Sequence, residues 1–340
     1  MTSTSGDSTG ADAAVICGIG AELPHTRVPN AHICAHLDVT PDWIHTRTGI
    51  THRVRADDHV TTADLATRAG AQALRSSGNR TADALVVATI SPDHRCPATA
   101  PRVAARLGLP GIPAFDISAA CTGFLYALRI AAGFLTHHAA QRMLVIAADR
   151  IPHMTDPTDP ITAPLFADGA GAVVLRRGHA GEPGALGPIL LGADATHADA
   201  IVIPHHAPLR MRGRETFKHA VEHMSHVSER ALQAAGWTPH DVDRFIPHQA
   251  NARITTAVGR RLGIDEPRVL HDIERVGNTG AASIPLTLAR AHTDGRLRPG
   301  HRVLLTAFGA GLTWGATTLV WPDPNTPSPH PNTPHRETSS

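Results

Sequence analysis

The chain has 340 residues, of which 42% are hydrophobic and 18% are charged, and its formal net charge is +1. That length suffices for one large layered domain or two fused halves, and the near-zero charge excludes the basic footprint expected of a nucleic-acid-binding protein. No apolar run approaches the roughly 20 residues that span a bilayer, and the first ten residues lack the basic and apolar segments of a signal peptide. We therefore expect a cytoplasmic protein with free thiols at its four widely spaced cysteines.

The first predicted strand contains Val15 and Ile16 and runs into Gly18-Ile-Gly20. These glycines begin like a dinucleotide-binding fingerprint, but Leu23 stands where the third glycine belongs. The motif is incomplete, which disfavours a Rossmann-type oxidoreductase.

The order of predicted elements is repeated along the chain. Apolar spacing predicts a helix at 66–75 followed by a strand at 82–91, and later a helix at 227–236 followed by a strand at 242–248. Each half then continues with a helix, a strand and a strand punctuated by glycines. In chain order these are a helix opened by Cys121, strands at 142–147 and 166–175, a helix at 281–289, and strands at 302–308 and 308–320.

Helices that alternate with short β-branched strands predict α/β layering with largely parallel sheets. Two such halves, 13–177 and 178–321, would stack about a pseudo-twofold axis and bring corresponding strand ends to one cleft. The flanking segments, 1–12 and the Pro-rich 322–340, are predicted to be disordered.

Cys121 lies between a strand-like run, 112–118, and an apolar run with helical spacing. A thiol on such a turn faces free backbone N–H groups and the positive end of the helix dipole, which favour the thiolate. A lone cysteine in an apolar stretch is more often structural. Here His248 and Asn278 each follow a strand-like run in distant segments, and together they supply a base and an amide for a nucleophilic cysteine.

The 24 histidines accompany an equally high content of Ala, Arg, Thr and Pro, so their number alone predicts no function. His219, His223 and His226 fall at i, i+4 and i+7 on a predicted helix, but no carboxylate or cysteine stands at a recognisable ligand spacing. We interpret them as a solvated helix face and predict no metal site.

Taken together, six separated motifs resemble the type III β-ketoacyl-acyl-carrier-protein synthases of the thiolase-like superfamily. The resemblance runs from about Val15 to Trp321 and depends on the order of the motifs rather than on any one of them. The motifs begin at Trp43, Asp116, Asp168, Pro247, Gly277 and Phe308.

The resemblance implies a thiolase-like fold of two pseudo-repeated halves, with stacked mixed sheets in an αβαβα arrangement. It implies that Cys121 carries the acyl group and that His248 and Asn278 stabilise the enolate formed by decarboxylation of a malonyl thioester. The backbone N–H groups of Cys121 and of the turn around Ala310 would form an oxyanion hole. No cofactor is implied; the substrates are thioesters of coenzyme A or an acyl carrier protein, and the enzyme is a homodimer.

The resemblance also assigns residues to the entrance of a substrate tunnel. Trp43 and Arg47 would contact coenzyme A, although one helical turn of separation also suits a surface cation–π pair. Arg253 would contact the same ligand or the phosphopantetheine of a carrier protein. Phe166 would also contact the substrate or its carrier. Lys218, with Arg214, starts a basic helix that would steer an acidic carrier protein or simply be solvated.

Two positions depart from the family pattern. Pro160 follows Asp156-Pro-Thr-Asp159 where many members carry an arginine that holds the nucleotide of coenzyme A. Cys96 stands where short-chain-specific relatives place a phenylalanine that crosses the dimer interface and closes the partner's acyl pocket. The first departure weakens the case for coenzyme A as the primary donor, and the second predicts a roomier acyl pocket.

These departures favour a specialised priming ketosynthase of polyketide or related secondary metabolism. Two alternatives stay open: an acyltransferase that passes its acyl group from Cys121 to an alcohol, amine or carrier without decarboxylation, and a non-catalytic dimer partner. Asn278 favours condensation over simple transfer, and the presence of Cys121 and His248 argues against a non-catalytic partner.

Overall fold

A computed structural model describes residues 12–324 of the chain. The predicted disordered segments therefore lie largely outside the described residues, which exclude 1–11 and 325–340. Within 12–324, no helix is both long enough and apolar enough to cross a membrane.

The α-helices are α1 (Asn30–Cys34), α2 (Pro41–Thr48), α3 (Thr62–Ser76), α4 (Thr99–Arg106), α5 (Gly123–Thr136), α6 (Gly213–Ala234), α7 (Ala252–Leu262), α8 (Ile273–Val276) and α9 (Ser283–Thr293). The strands are β1 (Asp12–Glu22), β2 (Thr26–Pro29), β3 (His52–Arg55), β4 (Ala84–Ala88), β5 (Ala114–Ile117), β6 (Arg142–Arg150), β7 (Asp168–His179), β8 (Leu190–Ala193), β9 (Ile201–Val202), β10 (Arg210–Met211), β11 (Arg244–Pro247), β12 (Arg302–Gly309) and β13 (Thr313–Val320).

The strands form two principal sheets, with orders β1-β7-β6-β4-β5 and β11-β12-β13-β8. β4 is parallel to both β5 and β6, and β11 is parallel to β12, whereas the pairings of β7 and of β13 are antiparallel. The expectation of largely parallel sheets is therefore wrong, because β6 leads to β7, and β12 to β13, without an intervening α-helix to carry the chain back. The mixed sheets implied by the family resemblance are confirmed.

The predicted repeat is visible in the order of elements. The first half runs α3–β4, then α5–β6–β7, and the second runs α6–β11, then α9–β12–β13. In each sheet the equivalent strands occupy equivalent places, so that β4, β6 and β7 correspond to β11, β12 and β13. The division at residues 177 and 178 stays a prediction, and it falls inside β7.

Three buried apolar clusters hold the five layers together. The central cluster packs α5 and α9 between the two sheets, the second packs α3 and α4 on the outer face of the first sheet, and the third packs α6 and α7 on the outer face of the second. This is the layered αβαβα arrangement expected of a thiolase-like fold. It stabilises the protein by burying apolar surface on both faces of each sheet.

Gly20 has a packing role rather than a nucleotide-binding one. It lies inside β1, and a Cβ atom there would overlap the backbone oxygen of Ala69 on α3. The glycine therefore lets a helix pack closely on the strand.

The predicted elements at 227–236 and 308–320 have different bounds in the structure. The predicted helix is only the C-terminal part of α6, whose polar first turns hide their helical spacing from a hydrophobic pattern. The predicted strand contains a reversal, because β12 ends at Gly309 and β13 begins at Thr313.

Candidate active site

Cys121 lies where the first sheet meets the central helices. β5 ends at Ile117, a single 3-10 turn covers Ala120–Thr122, and α5 starts at Gly123. Ala120 has a φ of 47°, in the left-handed region that residues with a side chain rarely adopt. Such strain is concentrated at functional turns, and here it directs the chain so that Cys121 borders a deep cavity.

The turn after β12 lies against the backbone of Cys121. A Cβ atom at Gly309 would stand 2.8 Å from the Cys121 nitrogen, so only glycine allows this approach without a shift. Gly309, Ala310 and Cys121 all border the same cavity. The arrangement brings together the two chain segments whose N–H groups are predicted to bind an oxyanion, and that role stays a prediction.

Burial favours the protonated form of the Cys121 thiol. Burial, with a smaller contribution from the Asp149 carboxylate, raises the pKa of Cys121 to about 12, against the lowering effect of its own backbone N–H. The expectation that the turn favours the thiolate is therefore wrong. Removal from water outweighs the hydrogen bond that the backbone N–H offers the thiolate.

His248 follows the last residue of β11, and its backbone N–H donates to the Thr306 carbonyl across the parallel ladder. Its ring Nδ1 lies 2.7 Å from Ser283 Oγ, at the start of α9. The Gln249 N–H donates to the same Oγ, so the hydroxyl hydrogen is available to Nδ1. This assignment makes Nε2 the protonated ring nitrogen.

Burial lowers the pKa of His248 to about 3, so the imidazole is neutral at physiological pH. The pKa shifts of His248 and Cys121 have the same main cause, because burial disfavours the charged form of each group. The pair is therefore a thiol and a neutral imidazole. A neutral imidazole with a proton on Nε2 can donate a hydrogen bond into the cavity.

Asn278 is held by hydrogen bonds at its backbone and its side chain. Its backbone N–H donates to Leu165 O at 2.9 Å, and its carbonyl accepts from Ala167 N at 2.8 Å. Its side-chain Oδ1 accepts from Gly280 N at 2.9 Å. Because Oδ1 is engaged, the Nδ2 amide group is the end that can donate to a ligand in the cavity.

Asp149 and Ser283 are two buried residues near the site that the sequence analysis missed. Asp149 accepts hydrogen bonds from Ile90 N and Ala281 N, each at 2.9 Å, and thereby links the two halves beside Cys121. Burial raises its pKa to about 6, although the hydrogen bonds it accepts lower it. A polar residue near the end of an apolar strand was the available signal for Asp149. Ser283 ends the conspicuous segment 277–283, but nothing in the sequence assigns its hydroxyl a role.

One cavity of about 1090 Å³ collects most of the predicted site residues. Its walls also include apolar side chains from β9, β10 and α6. The predicted residues that border it are Cys121, His248, Asn278, Ala310, Trp43, Arg47, Phe166 and Arg253.

Aromatic rings and arginines lie at the mouth of this cavity. The Arg47 guanidinium lies 4.6 Å from the centroid of the Trp43 ring, so the cation–π pair is present. Both residues border the cavity, and their contact with coenzyme A stays a prediction. Arg253 lies 5.6 Å from the Phe217 ring. Pro160 borders the cavity as well, so the position without an arginine is part of the entrance.

Two predicted binding residues lie outside this cavity. Lys218 borders a smaller cavity of about 590 Å³ at the start of α6. Cys96 is exposed in the loop before α4 and does not border the cavity of its own chain. Its predicted influence on an acyl pocket therefore requires a second copy of the chain.

The helix-face interpretation of three histidines is only partly right. His226 is exposed, but the His223 ring is half-buried and stacks on Trp314 with 4.0 Å between ring centroids. The prediction is wrong for His223, because α6 packs along β13 and covers that side of the helix.

Comparison with known proteins gives matches along nearly the whole chain. Residues 115–195 match the family 3-oxoacyl-[acyl-carrier-protein] synthase III, and residues 232–321 match its C-terminal family. A Streptomyces coelicolor protein called β-ketoacyl-[acyl-carrier-protein] synthase III 2 is 50% identical, covering 91% of this chain and 94% of that protein.

Solved structures agree with this result. The crystal structure of 3-oxoacyl-(acyl carrier protein) synthase III from Pseudomonas aeruginosa has a TM-score of 0.88 and 46% identity, covering 91% of this chain and 98% of that one. The priming β-ketosynthase of a polyketide biosynthetic pathway has a TM-score of 0.87 and 33% identity, covering 94% of this chain and 100% of that one.

Proposed function

The chain belongs to the β-ketoacyl-acyl-carrier-protein synthase III family, and from that premise we propose that it primes polyketide or related secondary-metabolite synthesis by decarboxylative condensation. Cys121 accepts an acyl starter, which then condenses with a malonyl-type thioester on a carrier protein. The observation that carries the proposal is the convergence of a thiol, a neutral imidazole and an amide on one cavity.

The proposed reaction has two balanced steps. The Cys121 sulfur attacks the carbonyl of the starter thioester, the carbon–sulfur bond to the donor breaks, and the proton of the thiol leaves with the donor thiol. The malonyl carboxylate then departs as CO2, and the electron pair of the broken carbon–carbon bond forms an enolate. The enolate carbon attacks the acyl carbonyl on Cys121, the bond from that carbonyl carbon to the Cys121 sulfur breaks, and the released thiolate takes up a proton from solvent.

The enolate oxygen needs donors that do not carry a negative charge. Nε2 of His248 and Nδ2 of Asn278 meet this requirement, because hydrogen bonds to Ser283 and Gly280 engage the other polar atom of each side chain. Simple transfer of an acyl group would use the thiol and the oxyanion hole but not an amide donor for an enolate. The Asn278 orientation thus supports condensation over transfer.

A carrier protein fits the cavity mouth better than free coenzyme A as the main donor. Pro160 offers no donor to a nucleotide at the entrance, whereas Arg47, Arg253 and Arg214 border the opening and Lys218 lies on the next turn of α6. A cationic rim steers an acidic partner by long-range attraction. We propose that these residues meet an acyl carrier protein, that no cofactor takes part, and that two copies of the chain form a homodimer in the cytoplasm.

The specialised role rests on two further findings. Streptomyces coelicolor has relatives of this chain numbered synthase III 2, 3 and 5, at 50%, 47% and 48% identity, so several such enzymes coexist in one organism. A priming ketosynthase from polyketide synthesis shares the fold over 94% of this chain. These findings, with the departures at Pro160 and Cys96, support a starter-selecting enzyme.

The proposal is tested by mixing the purified chain with an acyl thioester and a carrier protein loaded with carboxyl-labelled malonate. We expect one labelled CO2 for each β-ketoacyl carrier protein, as measured by trapped radioactivity and intact mass. Acyl transfer to the carrier protein, or to an alcohol or amine, without CO2 release would contradict condensation and identify an acyltransferase.

The proposed pocket at the dimer interface predicts a preference among starters. If Cys96 replaces a bulky plug in the partner's pocket, acyl groups longer or bulkier than acetyl should acylate Cys121 faster than acetyl does. Each buried methylene contributes about 0.8 kcal/mol, so two or three extra carbons shift the preference tens-fold. The measurement is the rate of acyl-enzyme formation, followed by mass, over a series of donors.

Cys96→Phe should reverse this order while leaving the acetyl rate nearly unchanged. Cys96→Ala is the matched control, because it removes the thiol without adding bulk and should keep the wild-type order. Sedimentation must show a dimer for all three proteins. A dimeric wild type that prefers acetyl and is unaffected by Cys96→Phe would show that this position does not limit the pocket.

A further inference from the structure

Two histidines and a glutamate meet at the start of α6, beside the smaller cavity. His197 comes from a 3-10 segment, Ala195–Ala200, whereas Glu215 and His219 lie one helical turn apart on α6. One possible ligand atom from each residue lies within 4.8 Å of the other two. His197 Nδ1 is 2.9 Å from Glu215 Oε1, and the rings of His197 and His219 are 4.3 Å apart.

These three residues are near enough to converge on one transition-metal ion after small movements of their side chains. Imidazole nitrogen and carboxylate oxygen bind Zn²⁺ at about 2.0–2.2 Å, so neighbouring ligands of a tetrahedral ion stand roughly 3.3 Å apart. His197 Nδ1 and Glu215 Oε1 are joined by a 2.9 Å hydrogen bond in the structure, so a metal ion would have to replace that bond and move the two atoms slightly apart. The i, i+4 relation of Glu215 and His219 places both on one helix face, so side-chain rotations suffice to bring the third ligand in.

His219 supplies an independent observation. Its Nδ1 is buried and has no hydrogen-bond partner in the part of the chain that the structure describes. Leaving a buried polar nitrogen unpaired costs free energy, whereas a metal ion would satisfy it. A histidine on a solvated helix face would pair this nitrogen with water. The buried, unpaired Nδ1 of His219 does not fit that interpretation.

The charged side chains around the cluster allow a cation to bind at one oxygen of the Glu215 carboxylate. Arg212, which is 63% exposed, lies 3.5 Å from Glu215 Oε2, whereas the other oxygen, Oε1, lies 2.9 Å from His197 Nδ1. Arg214 and Lys218 also border the cavity and oppose a divalent ion. Both are exposed, so solvent screens their repulsion. Their charge would favour an anionic group or water at the position the protein leaves open.

We propose that His197, Glu215 and His219 bind a Zn²⁺-type transition-metal ion, with a fourth coordination position open to water or an anion. Gly213 and Arg214 border both this cavity and the catalytic one. An ion held here ties the Ala195–Ala200 segment to the first turns of α6 at the rim of the catalytic cavity. The site is separate from the residues proposed for condensation.

The test uses the full-length chain without an affinity tag, stripped with a chelator and titrated with Co²⁺ and Zn²⁺. Wild-type protein should bind one Co²⁺ with the intense visible absorption of tetrahedral coordination, and Zn²⁺ should displace it in calorimetry. His219→Ala and Glu215→Gln should weaken binding by more than about 100-fold, because loss of even an outer-shell partner costs 10–100-fold. His226→Ala, an exposed histidine on the same helix, should bind like the wild type.

Because the chain has 24 histidines that could bind a metal ion elsewhere, the test depends on comparing the variants with the wild type. His197→Ala removes a side chain that is 39% exposed, so it should fold even if a change at half-buried His219 does not. Equal stoichiometry and affinity in the wild type and in His197→Ala would overturn the proposal. So would uptake of inorganic phosphate at this cavity, dependent on Arg212, in protein that binds no Co²⁺.

Discussion

Cys121→Ser is expected to lose both acyl-enzyme formation and condensation. The hydroxyl has nearly the size of the thiol, so the turn before α5 should keep its shape while the nucleophile becomes far weaker. Intact-protein mass after incubation with an acyl thioester should show a single acyl addition in the wild type and none in the variant. Peptide mapping should place the addition on the peptide that contains Cys121.

The same experiment has a matched control in Cys34→Ser. Cys34 is a half-buried thiol at the end of α1 that does not border the cavity, and this variant should acylate like the wild type. Acylation confined to Cys17, Cys34 or Cys96 would remove Cys121 from its proposed role.

The pKa of Cys121 adds a pH dependence to this prediction. Because burial raises that pKa to about 12, an alkylating reagent that needs the thiolate should react slowly near neutral pH. The rate should rise about tenfold for each pH unit as the thiolate fraction grows. A rate that is already maximal near pH 7 would show that the helix dipole outweighs burial after all.

Much of the fold could be predicted because each half repeats the same elements with clear apolar periods. The buried strand β4 and the helix α5 follow directly from runs of Ala, Val, Leu and Ile. Strand direction could not be read in the same way. It depends on whether a helix intervenes between β6 and β7, and the chain there has only a short 3-10 turn, Pro152–Met154.

The candidate site, too, could be predicted only in part. Cys121 and His248 each follow a predicted strand, so the repeat brings them toward one cleft. The expectation that Asn278 also follows a strand is wrong, because the chain before it forms α8. Ser283 could not be found, because its contact with His248 depends on where α9 begins relative to β11. The protonation states of Cys121 and His248 could not be predicted either, because a sequence does not show how completely the thiol and the imidazole are removed from water.

Removal of either enolate donor should separate decarboxylation from acylation. Asn278→Ala and His248→Ala should each slow CO2 release from a malonyl thioester by about 100- to 1000-fold, or roughly 3 kcal/mol of transition-state stabilisation. Acylation of Cys121, which forms no enolate, should be affected much less. The two rates are measured by trapped CO2 and by intact mass on the same preparations, with thermal unfolding as the test of folding.

His248→Gln distinguishes a neutral donor from a base. The glutamine amide retains an N–H group but cannot accept a proton, so it should recover part of the decarboxylation lost in His248→Ala if donation is what matters.

Since burial lowers the pKa of His248 to about 3, the imidazole stays neutral from about pH 5 to about pH 8. A fall in rate near pH 6 that persists in His248→Gln would therefore come from a group other than His248, such as Asp149 or Asp168, because burial raises the pKa of each to about 6. If His248→Gln is as inactive as His248→Ala while Cys121 still acylates, His248 acts by taking a proton, and the neutral-donor mechanism is wrong.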